Sequence, residues 1–135
     1  MGRTREALPV LDEAAKIAPK DPEFPYLSAL ALAELGDQAG TEAKLREAIR
    51  LNPRFARAYY NLGLLLSGQG HDQAAIISLR NAASLGPDDA QPPYALATIY
   101  LHLGQTAAAA AAAREALQRN PAHQEAAALL RSLGQ

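Results

Sequence analysis

Apolar side chains in this chain fall into two short helical patterns per stretch, then a break, after which the pair recurs. Between Ala56 and Gln69, Leu62, Leu65 and Leu66 stand at i, i+3 and i+4. Between Asp72 and Leu85, Ala75, Leu79 and Ala82 mark one face in the same way. With polar residues between them, such spacings describe one side of an α-helix. Carried along the chain, the pattern predicts helices near 4–17, 23–35, 38–51, 56–69, 72–85, 91–103 and 106–119, and a last one near 122–133. Asp72 and Thr106 stand where second helices of a pair need an N-cap.

The gaps are as regular as the helices. Pro19, Pro53, Pro87 and Pro121 are evenly spaced, and Gly2, Gly36, Gly70 and Gly104 keep the same interval. So do Ala14, Ala48, Ala82 and Ala116, and so do Tyr26, Tyr60 and Tyr94. Each ladder has a physical role. Proline lacks an N–H and fixes φ, so it separates one helix from the next. Glycine takes the left-handed conformation that ends a helix at a tight turn. The alanines suit a site where two helices approach closely. One fixed period shared by four residue types is the mark of a repeat architecture.

A helix–turn–helix unit of about 34 residues with these marks resembles the tetratricopeptide repeat. Residues 56–89 fit that family's pattern throughout, with Tyr59, Leu62, Gly63, Leu66, Gly70, Ala75, Leu79, Ala82 and Pro87. Residues 90–123 depart at Pro93, in place of an aromatic residue, and at Ala113, in place of a large one. Residues 22–55 are the loosest unit, with Ser28 and Thr41 off pattern and Gly40 inside the second helix. Residues 2–21 match only the second half of a unit, through Ala7, Leu11, Ala14 and Pro19. Residues 122–133 add a capping helix, with Arg131 in the slot for a small residue. The resemblance implies one all-α domain over residues 1–135, a right-handed superhelical solenoid of antiparallel helix pairs: three full repeats, an N-terminal half repeat and a C-terminal cap.

Composition agrees with helices and narrows the function. Hydrophobic residues make up 49% of the chain, aromatics only 5%, and tryptophan is absent. Alanine and leucine lose little side-chain freedom in a helix, so this mixture favours helices; the run Ala107–Ala113 is expected to lie within one. The formal net charge of -1 argues against nucleic acid, whose binders carry a basic excess. Glu42, Lys44, Arg46, Glu47 and Arg50 read as a solvated helix face with an i,i+4 pair Glu42–Arg46.

No catalytic constellation is legible. The chain has no cysteine, which excludes thiolate chemistry and cysteine-held metals or haem. His71, His102 and His123 lack metal-ligand spacing and are expected to be ordinary surface histidines. No phosphate-binding or nucleophile-elbow motif occurs. The expectation is therefore a non-enzyme with no cofactor and no metal. No apolar run reaches the ~20 residues that span a bilayer, so no membrane insertion is expected. The start, Met1 to Glu6, has neither a signal peptide's apolar stretch nor a myristoylation signal. The compartment stays open, cytoplasmic by default and periplasmic if the chain is part of an exported protein.

The resemblance also implies a function: protein–protein interaction through a concave groove lined by the first helix of each unit. Carried onto this chain, the groove slots hold Tyr26, Tyr60 and Tyr94; Leu30, Leu64 and Thr98; Ala33, Ser67 and Leu101; Glu34, Gly68 and His102; and Glu23, Arg57 and Gln91. Asn61 stands beside them, able to hydrogen-bond a peptide backbone. Tyrosine suits an interface anchor because it offers contact area with a polar tip. Adaptors that grip an acidic C-terminal carboxylate use lysine and asparagine where this chain has tyrosine and leucine or threonine. An uncharged or apolar segment of a protein or peptide partner is the expected ligand.

Two rival readings remain. The chain could assemble with itself: Leu8, Val10, Leu11, Ala14, Ala15 and Ile17 surround more than half of the first helix, whose own partner helix is absent. This predicts a homo-oligomer through residues 4–18, with Leu8, Leu11 and Ala15 at a two-fold contact. Alternatively the chain could be the tail of a larger bacterial protein. The phrase Phe55-Ala56-Arg57-Ala58-Tyr59-Tyr60-Asn61-Leu62-Gly63 is similar to repeat tails of some multihaem cytochromes, though the chain has no haem-attachment motif.

Overall fold

Glycine and proline divide the chain as the period demands. The computed structural model describes residues 2–134. Among them are eight helices and no strand: α1 (Gly2–Ile17), α2 (Glu23–Glu34), α3 (Gln38–Leu51), α4 (Ala56–Gly68), α5 (Asp72–Leu85), α6 (Gln91–His102), α7 (Thr106–Arg119) and α8 (Gln124–Ser132). Helices α2, α4 and α6 are the first helices of the three full units; α3, α5 and α7 are the second.

Within a unit the two helices are joined at a glycine with positive φ: Gly36 at 80°, Gly70 at 80° and Gly104 at 76°. The following residue's N–H returns to a carbonyl of the helix just ended: Asp37 to Leu32, His71 to Leu66 and Gln105 to Tyr100. That left-handed closure satisfies carbonyls a helix end leaves open. Between units the last residue of α3, α5 or α7 is followed by one cap residue and then by Pro53, Pro87 or Pro121. Asn52 and Asn120 then fold back, each accepting the backbone N–H two residues on.

Capping differs from the expectation. Asp72 and Thr106 lie inside their helices as first residues, and the caps before them are His71 and Gln105, which make no side-chain cap bond. The carboxylate that does cap is Asp37, whose Oδ1 accepts the Gly40 N–H at 2.9 Å. This also explains the off-pattern Gly40: a Cβ there would sit 2.5 Å from Asp37 Oδ2.

Helix pairs close on small residues. Ala29, Ala48, Ala58, Ala75, Ala97, Ala109, Ala113 and Ala116 are fully buried, with Leu45 and Leu79 packed among them. Gly63 is the tightest point: a Cβ there would meet Leu79 Cγ at 2.6 Å. The alanine run is helical as expected, with Ala109, Ala110, Ala112 and Ala113 inward and Ala107 and Ala111 outward. The predicted Glu42–Arg46 pair forms at 3.0 Å. Helix α1 stands apart from the rest. It carries Pro9 in its interior and buries no residue, so the N-terminal half repeat is held mainly by its contact with α2.

Candidate functional site

The first helices sit side by side. Arg57 on α4 pairs with Glu23 on α2 at 3.0 Å, and Asn61 on α4 donates to the Tyr26 hydroxyl at 3.0 Å. Further along, α6 contacts both α4 and α8. On this shared face Leu30, Leu64 and Leu101 are 40%, 42% and 39% exposed, one on each successive first helix. Ala33, Glu34, Thr98 and His102 are exposed beside them, and Asn61 is half-buried. A recess of about 260 Å³ opens between α2, α3 and α4, lined by Leu30, Ala33, Asn61, Leu64 and Leu65 among others. A second, of about 230 Å³, is bordered by Ser67, Thr98 and His102.

The three tyrosines share a slot yet have three environments. Tyr26 is only 6% exposed, with the Phe55 ring 4.8 Å away and the Arg57 guanidinium 5.1 Å above its own ring. An anchor must be exposed to touch a ligand, and Tyr26 is instead spent on the junction between units. Tyr94 is half-buried beneath His123, its ring 4.8 Å away. Tyr60, also half-buried, has no ring on it among the described residues; its electrostatic neighbour is Asp89. Burial first, and the Asp89 charge second, push the Tyr60 phenol above the usual tyrosine value.

Those neighbours form a ladder of their own. Phe55, Asp89 and His123 each follow their tyrosine at one constant offset and lie one period apart. The residue ahead of each next unit's first helix is therefore the tyrosine's neighbour at the junction. That signal is present in the sequence. It distinguishes Tyr60 as the tyrosine with a carboxylate, rather than a ring, near it.

Two models of the tetratricopeptide repeat match the sequence, one at residues 31–70 and the other at residues 56–89 and 94–123. The chain belongs to the tetratricopeptide repeat family. No curated protein matches the chain significantly. Among solved structures, this tetratricopeptide chain is similar to MamA, with a TM-score of 0.83 at 21% identity over 98% of this chain and 87% of that one. It spans 64% of another MamA structure, with a TM-score of 0.80 at 23% identity over 87% of this chain. It is also similar to PilF of Pseudomonas aeruginosa, with a TM-score of 0.88 at 22% identity over 98% of this chain and 60% of that one. YrrB, described as a tetratricopeptide protein with an unusual peptide-binding site, gives a TM-score of 0.82 at 18% identity, over 96% of this chain and 67% of that one. Identities this low show the shared fold alone.

Elsewhere in the tetratricopeptide chain, His71 and His102 are exposed as expected, but His123 is not an ordinary surface histidine. It is 9% exposed. Its Nδ1 accepts the Ala126 N–H at 3.1 Å, capping α8, which leaves Nε2 to donate to Gln91 Oε1 at 3.1 Å. Local sequence does not show this, because Gln91 and Tyr94 come from α6, two helices before α8. His123→Ala is expected to cost about 1 kcal/mol of stability, the usual value of a lost N-cap. His123→Asn should retain most of it, since asparagine caps well. Urea unfolding followed by circular dichroism checks this, and equal losses in both variants would rule out a capping role.

No three His, Asp or Glu side chains come together as metal ligands among the described residues. No described helix is long and apolar enough to cross a membrane. Leu8, Leu11 and Ala15, expected at a contact between two copies, are half-buried. The exposed apolar residues of α1 are Val10 and Ile17, at 68% and 85%.

Proposed function

We propose that the chain is a non-enzymatic scaffold that binds a peptide or helix of a partner protein along its first-helix face. The observation that carries this is the row Leu30, Leu64 and Leu101, left open on three successive helices while equally apolar neighbours are buried. Apolar groups exposed in a row on a rigid face are unusual for a surface without a partner. The family and the peptide-binding YrrB support the same reading.

Tyr60 and Asn61 lie at the middle of the row and supply polar tips for orientation, and Thr98, His102, Glu34 and Arg57 form its rim. Charge on this face is sparse and mixed, so the ligand is an uncharged segment with one or two apolar anchors. Pre-formed helices lose little freedom on binding, which favours affinity from a few contacts.

The test is selection of peptides from a random displayed library on the wild-type chain. Selected peptides should bind the Leu64→Asp variant at least about tenfold more weakly, the scale of one hot-spot anchor, with helix content unchanged. Peptides that bind both chains equally would remove the first-helix face from consideration.

A further inference from the structure

A cavity of about 400 Å³ opens between α5, α6 and α7, lined by Arg80, by Leu96 and Tyr100, and by Ala108, Ala111 and Ala112. None of the row Leu30, Leu64 and Leu101 lines it, so it is distinct from the first-helix face. We propose that it binds a small monocarboxylate with an apolar body, gripped by the Arg80 guanidinium and the Tyr100 hydroxyl.

The hollow follows from the residues the repeat puts there. One unit earlier the three alanine slots hold Ala74, Ile77 and Ser78, so α7 is slimmer at this point than α5. Two slots that carry leucine in both earlier units hold polar residues here: Tyr100 stands for Leu32 and Leu66, and Arg119 for Leu51 and Leu85. Both polar residues line the cavity. A space of this order takes a small ligand, and walls of alanine and leucine suit its carbon atoms.

The hydrogen bonds state what the ligand must bring. Tyr100 is 8% exposed, and its hydroxyl oxygen accepts an Arg80 Nη2 hydrogen at 2.7 Å. Arginine only donates, so the proton of the phenol itself must go elsewhere. Among the described residues no acceptor takes it. Arg80 spends one of its five N–H donors on this bond and forms no ion pair among the described residues. Arg46, in the same slot of α3, is served by Glu42 one turn back, but the residue one turn before Arg80 is Ile76. Two adjacent donor groups, one of them cationic, thus line an apolar cavity, and a carboxylate accepts from both. Charge narrows the class further. Arg119 is already committed to backbone carbonyls and to Glu115 at 2.8 Å, so the wall keeps one positive charge in excess, on Arg80. That matches a monoanion. A phosphate dianion would set an unanswered negative charge beside Glu115.

The test titrates isocaproate, and its uncharged counterpart isocaproamide, into the isotopically labelled whole chain. Saturable shifts are expected at the Ala111 and Ala112 methyl groups and the Tyr100 ring, and the amide should bind at least about tenfold more weakly. Tyr100→Phe keeps the ring and removes the O–H, and Arg80→Gln removes the charge. Each should weaken isocaproate binding at least about tenfold with helix content unchanged. Leu64→Asp should leave it as in wild type, which separates this cavity from the first-helix face. Acetyl-glycyl-leucine carries the same chemistry on a peptide end. Tighter binding than isocaproate assigns the site to a chain terminus; equal or weaker binding assigns it to a free acid. No saturable shift at Ala111 and Tyr100 with either carboxylate, equal binding of the amide, or full affinity in both variants overturns the proposal. So does inorganic phosphate binding as tightly as isocaproate, which would make the cavity a general anion site.

Discussion

Leu79→Ala is expected to lower the free energy of unfolding by about 2–5 kcal/mol, the range for a buried leucine whose site cannot collapse. Leu79 is fully buried at the centre of the best-formed pair, α4 and α5, under Gly63. The helices flanking it are fixed by neighbouring units, so they cannot close over the void. Gly63→Ala is expected to cost about 1–2 kcal/mol despite alanine's better helix propensity, because its methyl group would overlap Leu79 Cγ. The two changes are complementary in volume. In the double variant the new methyl group enters the space the leucine vacates, so the combined loss should fall clearly below the sum. Urea unfolding of the four proteins measures this. Strict additivity would mean that Gly63 and Leu79 do not share the contact described above.

Arg119→Ala is expected to cost about 2–3 kcal/mol, and the reason begins with a proline whose missing donor leaves a part-buried carbonyl in need of another. In a helix the Ala83 carbonyl would accept from residue 87, but Pro87 has no N–H to give. Arg119 Nη1 reaches over from α7 and supplies the donor, at 3.0 Å from the carbonyl oxygens of Ala83, Gly86 and Asp89. Its Nη2 is held by Glu115 at 2.8 Å, and the side chain is 13% exposed. A cation at the C-terminal end of α5 also meets the negative end of the helix dipole. Removing it strands the Ala83 carbonyl, which costs more than the net worth of the bond, whereas Gly86 O keeps the Asp89 N–H. Arg119→Lys keeps the charge but not the fork, and should recover less than half of the loss. Urea unfolding again gives the measure. An alanine variant within about 0.5 kcal/mol of wild type would show that water replaces the guanidinium at no cost.

Much of this architecture can be read from residue types alone, because the period fixes where each type recurs. Gly36, Gly70 and Gly104 end helices as the turn chemistry requires, and the boundaries of α3, α5 and α7 fall where the proline and glycine ladders place them. Other features depend on what lies one unit away. Tyr26 and Tyr60 are the same residue in the same slot, yet Phe55 covers one while Asp89 stands near the other. His123 looks like a loop residue until Gln91 and Tyr94 arrive from α6. Asp72 and Thr106 stand just inside the helices they were expected to cap, since a polar residue in the first turn and one just before it look alike without backbone angles. Arg119 bears no local sign, because the carbonyl it serves is orphaned by a proline of the preceding unit.

A chain of near-identical units faces a problem of counting. Any second helix could in principle dock against the wrong neighbour, displaced by a whole unit, and misassembly of this kind is a known failure of repeat proteins. The junctions of this chain are individually marked. Arg57–Glu23 joins α4 to α2, Arg119 stands where the other second helices carry Leu51 and Leu85 and reaches back to the turn after α5, and His123 bonds Gln91. A slip by one unit would set Arg57 opposite Gln91 in place of Glu23, and His123 opposite Arg57 in place of Gln91. The irregularities in the repeat thus act as an ordinal code: they tell each unit which number it is.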